Sequence, residues 1–268
     1  MLIRQPHVAG TFYPDDPSEL RQFCKPWLVS AAPNISARAV ILPHAGYIYS
    51  GKTACRVLSR IRVPEKNVLI GPDHRGVGSD FSLFAEGQWE TPLGTVSIDE
   101  TLSRSILAGC PTLKADPQAH AFEHSLEVLV PLLQIKNPSA KIVPLIVGTL
   151  NLQKAKQVAV EIAGALKRET ETVLVVVSND MSHYENDVST RKKDQYALHA
   201  IGQLDADALV DAVRQHRVTM CGFVPVYMLL VMAHEIGIQR STLVEYCTSG
   251  DATGDRDRVV GYAGYLFE

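Results

Sequence analysis

Three histidines of this sequence follow short apolar runs, each within a few residues of the end of the run. They are His44 after Ala39–Leu42, His74 after Asn67–Ile70 and His183 after Thr172–Val177. Runs rich in Val and Ile without polar alternation predict buried strands of a parallel sheet. Ligands of such sheets bind at the carboxyl ends of the strands, so three histidines at equivalent ends predict a shared site. Neutral imidazole is the commonest protein ligand of metals, and we therefore expect a metal ion there.

Asp180 and Cys221 could add anionic groups to these histidines. Asp180 precedes His183 by three residues, and the two could be a metal ligand and a general base, or a base and the carboxylate that orients it. A capped turn would show the same spacing. Cys221 precedes Gly222 and the apolar run Val224–Ala233, which predicts a helix whose N-terminus lowers the pKa of the thiol. The thiolate could bind metal, with a small buried hydrophobic side chain as the alternative.

A fourth histidine, His124, lies between Glu123 and Glu127 at a predicted helix start. His124 could transfer protons or orient a substrate, and either carboxylate could brace another residue. The alternative is a solvated, acid-rich first turn. Pro131 conflicts with a continuous helix over Glu123–Lys136, so we expect that helix to kink or to begin late.

Composition narrows the classes of protein. The chain has 268 residues, of which 46% are hydrophobic and 21% charged, and its net charge is −3. These values predict a folded protein with a sizeable core and no nucleic-acid partner.

The five scattered cysteines include no closely spaced pair, which argues against a disulfide framework or a zinc ribbon. Cys24, Cys55 and Cys110 are interpreted as packing residues. With neither a signal peptide nor a bilayer-spanning run, we expect a cytoplasmic protein without a membrane partner.

Strands and helices must alternate to place the histidines together. The remaining predicted strands are Lys141–Val147, Thr242–Tyr246 and Val259–Phe267. Val259–Phe267 alternates more, which predicts a strand at the sheet edge or one that closes the domain. Asp16 is the predicted N-cap of a helix that ends near Val29, and the Gly- and Asp-rich stretch Ser249–Asp257 is expected to be a loop. The order predicts one three-layer α/β/α domain over residues 1–268 with a mostly parallel central sheet.

Motifs of other enzyme classes are missing. The sequence has no phosphate-binding loop, serine nucleophile elbow or zincin motif, which weakens the corresponding NTPase, hydrolase and protease interpretations. A hydrolytic site with Cys221 or Ser249 as nucleophile and His183 as base has no motif to support it.

Seven short motifs, taken together, form a recognisable series along the chain. They are Ala9–Pro14, Pro43–Tyr47, Gly71–His74, Glu123–Glu127, Asp180–Tyr184, Cys221–Gly222 and Val260–Ala263. In this order they resemble the Memo family, whose prokaryotic members are called AmmeMemoRadiSam system protein B. Each motif is short, but the series covers essentially the whole chain and is very specific.

The resemblance implies a fold similar to the LigB-type, class III extradiol dioxygenases. Those enzymes cleave catechol rings with non-haem iron held by two histidines and a glutamate. By residue type, His44 and His74 match the two histidines, and Cys221 stands where the family replaces the glutamate. A thiolate is softer and more oxidisable than a carboxylate, which favours copper or redox-active iron as the metal.

The resemblance also implies roles for the other pocket residues. His183 matches a position used for acid–base work, Asp180 accompanies it, and His124 looks like a second pocket histidine. One hypothesis is a metal-dependent oxidoreductase that binds Fe(II) or Cu and acts on a hydroxylated small molecule. The other is a binding module on an inherited dioxygenase scaffold. Its pocket would take a peptide, a phosphorylated ligand or a partner protein of a radical-SAM-linked modification system.

Overall fold

A nine-stranded mixed sheet with helices on both faces forms the centre of the protein. The computed structural model describes residues 2–28 and 35–268. Three further strands, β1, β5 and β6, form a separate small sheet. The strands of both sheets are β1 (Ile3–Arg4), β2 (Ala39–Leu42), β3 (Lys66–Pro72), β4 (Phe81–Leu83), β5 (Gln88–Thr91), β6 (Gly94–Ser97), β7 (Lys114–Ala115), β8 (Lys141–Val147), β9 (Val173–Ser178), β10 (His183–Glu185), β11 (Ser241–Thr248) and β12 (Val259–Phe267). The helices are α1 (Pro17–Leu28), α2 (Tyr47–Arg60), α3 (Glu100–Gly109), α4 (Val130–Lys136), α5 (Leu152–Lys167), α6 (Asp187–Gly202), α7 (Ala206–His216), α8 (Phe223–Glu235) and α9 (Ser249–Thr253). Short 3-10 helices cover Pro117–His120 and Glu127–Leu129.

Four parallel strands form the centre of the sheet, in the order β2, β9, β3 and β8. On one side β12 joins β2 in the antiparallel sense, and on the other β4 joins β8 in the same way. The predicted three-layer α/β/α arrangement is thus confirmed, but the sheet, predicted as mostly parallel, is mixed: its centre is parallel and antiparallel strands join on both sides. Because the central strands run in one direction, the carboxyl ends of β2, β3 and β9 lie at the same edge.

Two hydrophobic cores, one on each face of the sheet, explain the unbroken apolar runs. In β2, Ala39 and Ile41 pack into the core beneath α5 and α8, whereas Val40 and Leu42 pack into the core beneath α1 and α2. Successive side chains of a strand point to opposite faces, so a strand covered on both faces needs apolar residues at every position. The cysteines interpreted as packing residues, Cys24, Cys55 and Cys110, are fully buried in these cores.

Two expectations for the last strands, an edge position for β12 and full burial for β11, are contradicted by the structure. β12 lies inside the sheet, because it pairs with β11 on one side and with β2 on the other. Its alternation comes from small residues that let helices approach: a Cβ at Gly264 would lie 2.5 Å from Val57 Cγ2 of α2. β11, predicted as a fully covered strand, is half-buried and pairs with β12 alone among the described residues.

Helix boundaries follow local signals. Asp16 accepts hydrogen bonds from the backbone N–H of Ser18 and Glu19, and α1 ends at Leu28, while Val29 lies outside the described residues. The helix predicted over residues 123–136 begins late, as α4, and Pro131 falls in its first turn. Proline is tolerated there because the first N–H groups of a helix have no partner within the helix.

The stretch Ser249–Asp257, predicted as a loop, contains the short helix α9. Thr248 and Asp251 form a capping box at its start, which satisfies two N–H groups that would otherwise be unpaired.

In the described part of the chain, no helix is both long and apolar enough to cross a membrane.

Glu127 anchors the N-terminal segment to the body of the protein. Its carboxylate accepts hydrogen bonds from Arg4 Nη2 at 2.7 Å, from Tyr13 OH at 2.9 Å, and from the backbone N–H groups of His7 and Val8. Arg4 and Glu127 are both buried. A buried carboxylate with this many donors is well compensated, but removal of its charge would leave the guanidinium unpaired.

We predict that Glu127→Gln lowers the free energy of unfolding by about 3–5 kcal/mol, because Arg4 would stay buried opposite a neutral amide. Urea denaturation followed by circular dichroism measures the loss. Asp80→Asn is the control, since it removes the exposed ion pair with Lys154 and should cost less than about 1 kcal/mol. Equal, small losses in both variants would contradict this account.

Candidate metal centre

His44 lies just beyond the end of β2, and its ring is held at one nitrogen. His44 Nδ1 is 2.7 Å from Ser178 Oγ, and the Ser178 hydroxyl donates its only hydrogen to the carbonyl oxygen of Ser125 at 2.6 Å. Ser178 must therefore accept from Nδ1–H, which leaves the Nε2 lone pair of His44 free. Burial, and then the charge of His74, lower the pKa of His44 well below its ordinary value, so the ring is neutral at pH 7.

His74 lies just beyond β3 and is held by a carboxylate. Its Nδ1 is 2.9 Å from Glu123 Oε1, and its backbone N–H donates to Glu123 Oε2 at 2.6 Å. Burial alone would raise the pKa of Glu123, but the hydrogen bonds and charge of His74 lower it to about 2. The ionised carboxylate can only accept, so Nδ1–H of His74 donates to it and Nε2 is the nitrogen that takes up or releases the second proton. Burial would lower the pKa of His74, but Glu123 outweighs it and raises that pKa above its ordinary value.

Cys221 approaches His44 from the start of α8. Its Sγ is 3.2 Å from His44 Nε2 and accepts the backbone N–H of Asp180 at 3.4 Å. Gly222 permits this approach, since a Cβ there would lie 2.4 Å from the carbonyl oxygen of Ser178. The predicted lowering of the thiol pKa by a helix N-terminus was wrong: burial, and then the charge of Asp180, raise the pKa of Cys221 well above its ordinary value. At pH 7 without a metal, Cys221 is a thiol that can donate to His44 Nε2.

The donor atoms of His44, His74 and Cys221 all lie within 4.8 Å of one another. Ligand atoms bonded to one metal ion at about 2.0–2.3 Å are roughly 3.5 Å apart, so small side-chain shifts would bring the three atoms into coordination distance. The structure therefore brings together the three residues predicted as metal ligands, and their donor set fits a transition metal.

His124 belongs to the same pocket. Its ring stacks on that of His74, with centroids 4.6 Å apart, and lies 5.7 Å from the ring of His44. Phe12, from the N-terminal segment, covers it at a centroid distance of 4.9 Å. Burial lowers the pKa of His124 to about 4 although the charge of Glu123 opposes this, so His124 is neutral at pH 7. The acid-rich segment around it is not a solvated helix turn, because Glu123 and Glu127 are both buried.

Asp180 contacts two of the candidate ligands, Cys221 through its backbone N–H and His44 through its carboxyl group. Its Oδ1 accepts the backbone N–H of His44 at 2.8 Å, and its Oδ2 lies 4.0 Å from His44 Nε2. Burial raises the pKa of Asp180 to about 7, against the lowering effect of hydrogen bonds from His44 and Ala45. This carboxyl group therefore exchanges its proton near neutral pH.

His183 is oriented by Thr219 and not by Asp180. His183 Nδ1 is 3.0 Å from the carbonyl oxygen of Thr219, so Nδ1–H donates and Nε2 is free to accept a proton. Burial lowers the pKa of His183. Next to it, Tyr184 has a φ of +64°, a backbone conformation that is strained for a bulky residue and that often occurs at functional sites.

The hydrolytic alternative has no support in this geometry. The imidazole next to the Cys221 sulfur is that of His44, not that of His183. Ser249 lies at the start of α9, where its hydroxyl oxygen accepts the backbone N–H of Val260 at 3.0 Å. Neither residue is thus paired with the base that a hydrolytic site would require.

Sequence reasoning missed the residues that orient the histidines. Ser178 and Thr219 accept from imidazole rings through a hydroxyl and a carbonyl oxygen, and the Ser125 carbonyl oxygen accepts from the Ser178 hydroxyl. A signal existed for one of them: Ser178 closes an otherwise apolar buried strand, where a polar residue needs a partner.

Comparison of folds supports the α/β architecture. A crystal structure of an uncharacterized protein from Escherichia coli K12 superimposes with a TM-score of 0.55 at 13% identity. The alignment covers 85% of this chain and 98% of that protein. At this identity the likeness concerns the fold alone.

Comparison of sequences is more specific. The chain is 42% identical to a MEMO1 family protein of Aquifex aeolicus and 35% identical to one of Methanobrevibacter smithii, each over the full length of both chains. It is 36% identical to one of Methanopyrus kandleri over 99% of both. Residues 4–266 match the family described as Memo-like protein. This chain therefore belongs to the Memo family.

Proposed function

We propose that the protein binds one iron or copper ion through His44, His74 and Cys221 and uses it in redox chemistry. The substrate would be a small molecule or a peptide bound in the same pocket. One observation carries the proposal: a ring nitrogen from each of two imidazoles and one sulfur, from distant parts of the chain, converge within 4.8 Å. Each imidazole is held at Nδ1, so its lone pair is already directed for coordination.

The donor set favours a redox-active metal. Imidazole suits iron and copper, and a soft thiolate adds preference for copper or electron-rich iron. Three protein ligands leave coordination positions open, and a metal bound there supplies electron transfer and activates a ligand at an open position. The His74 side chain is 30% exposed whereas that of His44 is 2% exposed, so the open side faces solvent past His74.

Asp180 and His183 are the two groups that we propose to handle protons. Asp180, with a pKa of about 7, gives up or takes a proton at little cost near neutral pH. His183 is neutral and offers Nε2 as a base, because Thr219 holds its other nitrogen. The family resemblance to extradiol dioxygenases assigns acid–base work to the His183 position, which supports the same role here.

A metal-free binding pocket is the second candidate. It is favoured by the contact between the Cys221 thiol and His44 Nε2, which satisfies both groups without an ion. Such a pocket would bind a peptide or a partner protein equally well with and without a chelator, whereas the proposed redox function requires the metal.

We predict that the anaerobically purified protein binds about one Fe(II) or Cu(I) per chain and that His44→Ala abolishes this binding. Elemental analysis after desalting measures the stoichiometry, with Zn(II) as a competitor. His234→Ala is the matched control, since His234 is an exposed histidine of α8 outside the donor set. Equal, negligible binding by the wild type and by His44→Ala would contradict the proposal, as would exclusive retention of zinc.

We predict that metal affinity rises with pH, because binding displaces the proton that the raised pKa of Cys221 retains. Release of one proton on binding makes metal affinity rise about tenfold per pH unit. The dependence of affinity on pH is steeper at lower pH, where His74 is also protonated. Competitive titration between pH 6 and 9 measures it. Cys247→Ala, a half-buried cysteine outside the set, should keep the slope. An affinity independent of pH would exclude Cys221 as a ligand.

We predict that Asp180→Asn stabilises the metal-free protein at pH 8 and not at pH 4. The raised pKa of Asp180 means that the folded chain holds its proton more tightly than the unfolded chain does. Stability therefore falls as pH rises from about 4 to about 7. Asparagine removes this cost, which is at most about 4 kcal/mol at 1.4 kcal/mol per pKa unit. Urea denaturation at both pH values measures the difference.

Glu123→Gln is the control of opposite sign for that measurement. The pKa of Glu123 is lowered to about 2, so its ionised form stabilises the fold and its removal should destabilise the protein at pH 8. A loss of stability in Asp180→Asn that is the same at pH 4 and pH 8 would show that the carboxyl group carries no such cost.

A further inference from the structure

We infer that residues 123–125 set the orientation of both histidine ligands, with Ser178 as the positioning residue that extends this control to His44. The consequence for metal binding rests on the proposed function. The tautomer of His44, however, is a property of the metal-free chain and can be tested without a metal.

The contact to His44 is a relay through two buried groups. Ser178 and Ser125 are both fully buried, so water cannot replace either partner freely. The single hydrogen of the Ser178 hydroxyl is donated to the Ser125 carbonyl at 2.6 Å, which leaves the oxygen as an acceptor for His44 Nδ1–H at 2.7 Å. A carbonyl oxygen cannot donate, so the direction of both hydrogen bonds is fixed from the Ser125 end. The proton of His44 is thereby held on Nδ1.

The contact to His74 starts from the same segment. Glu123 accepts His74 Nδ1–H, and its carboxylate is itself held by the backbone N–H of Ser125 at 2.8 Å. The Ser125 hydroxyl donates to the carbonyl oxygen of Pro72 at 2.9 Å, at the end of the strand that leads to His74. A Cβ at Gly71 would lie 2.7 Å from Leu126 Cδ2, so the segment is packed closely against this strand.

Residues 123–125 thus position both histidines, but His44 and His74 donate to different acceptors. His74 donates to an ionised carboxylate, which makes its Nε2 the stronger electron donor, whereas His44 donates to a neutral hydroxyl. Removal of the Ser178 hydroxyl deprives His44 Nδ1–H of its acceptor. The proton can then move to Nε2, which blocks the lone pair directed at Cys221.

The test compares the metal-free wild type with Ser178→Ala, Ser178→Thr and Ser103→Ala. Proteins labelled with ¹⁵N at histidine report the tautomer through long-range ¹H–¹⁵N correlations, and His44→Gln assigns the His44 signals. Threonine retains a hydroxyl group at the same place. Ser103 is the matched control, because it is also fully buried and its hydroxyl has no hydrogen-bond partner in the described part of the chain.

We expect His44 to hold its proton on Nδ1 in the wild type, in Ser178→Thr and in Ser103→Ala, and to lose this preference in Ser178→Ala. Fe(II) or Cu(I) affinity should fall by about 10–100-fold in Ser178→Ala alone, as for other partners of ligating histidines. An unchanged tautomer in a folded Ser178→Ala, or an Nε2–H tautomer in the wild type, would overturn the inference. If His44 shows the expected tautomers but the wild type binds no metal, the hydrogen-bond relay from Ser125 through Ser178 to His44 is supported. Only the proposed metal function is then refuted.

Discussion

A neutral imidazole carries one proton on two nitrogens, and this constraint governs the whole site. A metal ion needs the lone pair of Nε2, so the proton must be kept on Nδ1 by an acceptor that cannot be displaced. The chain supplies three different acceptors: the Glu123 carboxylate for His74, the Ser178 hydroxyl for His44 and the Thr219 carbonyl for His183. In the neutral form of each ring, Nε2 therefore carries the lone pair that can bind a metal ion or a proton.

The fold makes these acceptors available at one edge of the sheet. Parallel strands β2, β3 and β9 end together, so His44, His74 and Ser178 meet although they are far apart in the sequence. The segment before α4 crosses this edge and brings Glu123 and Ser125 against the rings. Glu127, in the same segment, fixes the N-terminal residues whose Phe12 covers His124. Polar groups buried in this way are stable only when all are paired, which ties the geometry of the site to the integrity of the surrounding structure.

The sequence predicts the strand ends well and the contacts between them poorly. Apolar runs and the residues after them correctly place His44 and His74, because burial on both faces leaves a strong local pattern. Ser178 could not be assigned to His44 from sequence, since its partner is 134 residues away. The thiol pKa of Cys221 was mispredicted for a related reason: the helix N-terminus is a local signal, whereas the burial that raises the pKa arises from tertiary packing. The position of β12 was also mispredicted, because its Gly264 is explained only by the tertiary packing of α2 against it.

The most direct measurement of the central claim is X-ray absorption at the metal edge of protein loaded anaerobically with one Fe(II) or Cu(I). The account predicts two imidazole nitrogens at about 2.0–2.1 Å and one sulfur at about 2.3 Å, with the sulfur lost in Cys221→Ala. A spectrum with only nitrogen and oxygen neighbours, unchanged in Cys221→Ala, would show that the metal does not bind where His44, His74 and Cys221 converge.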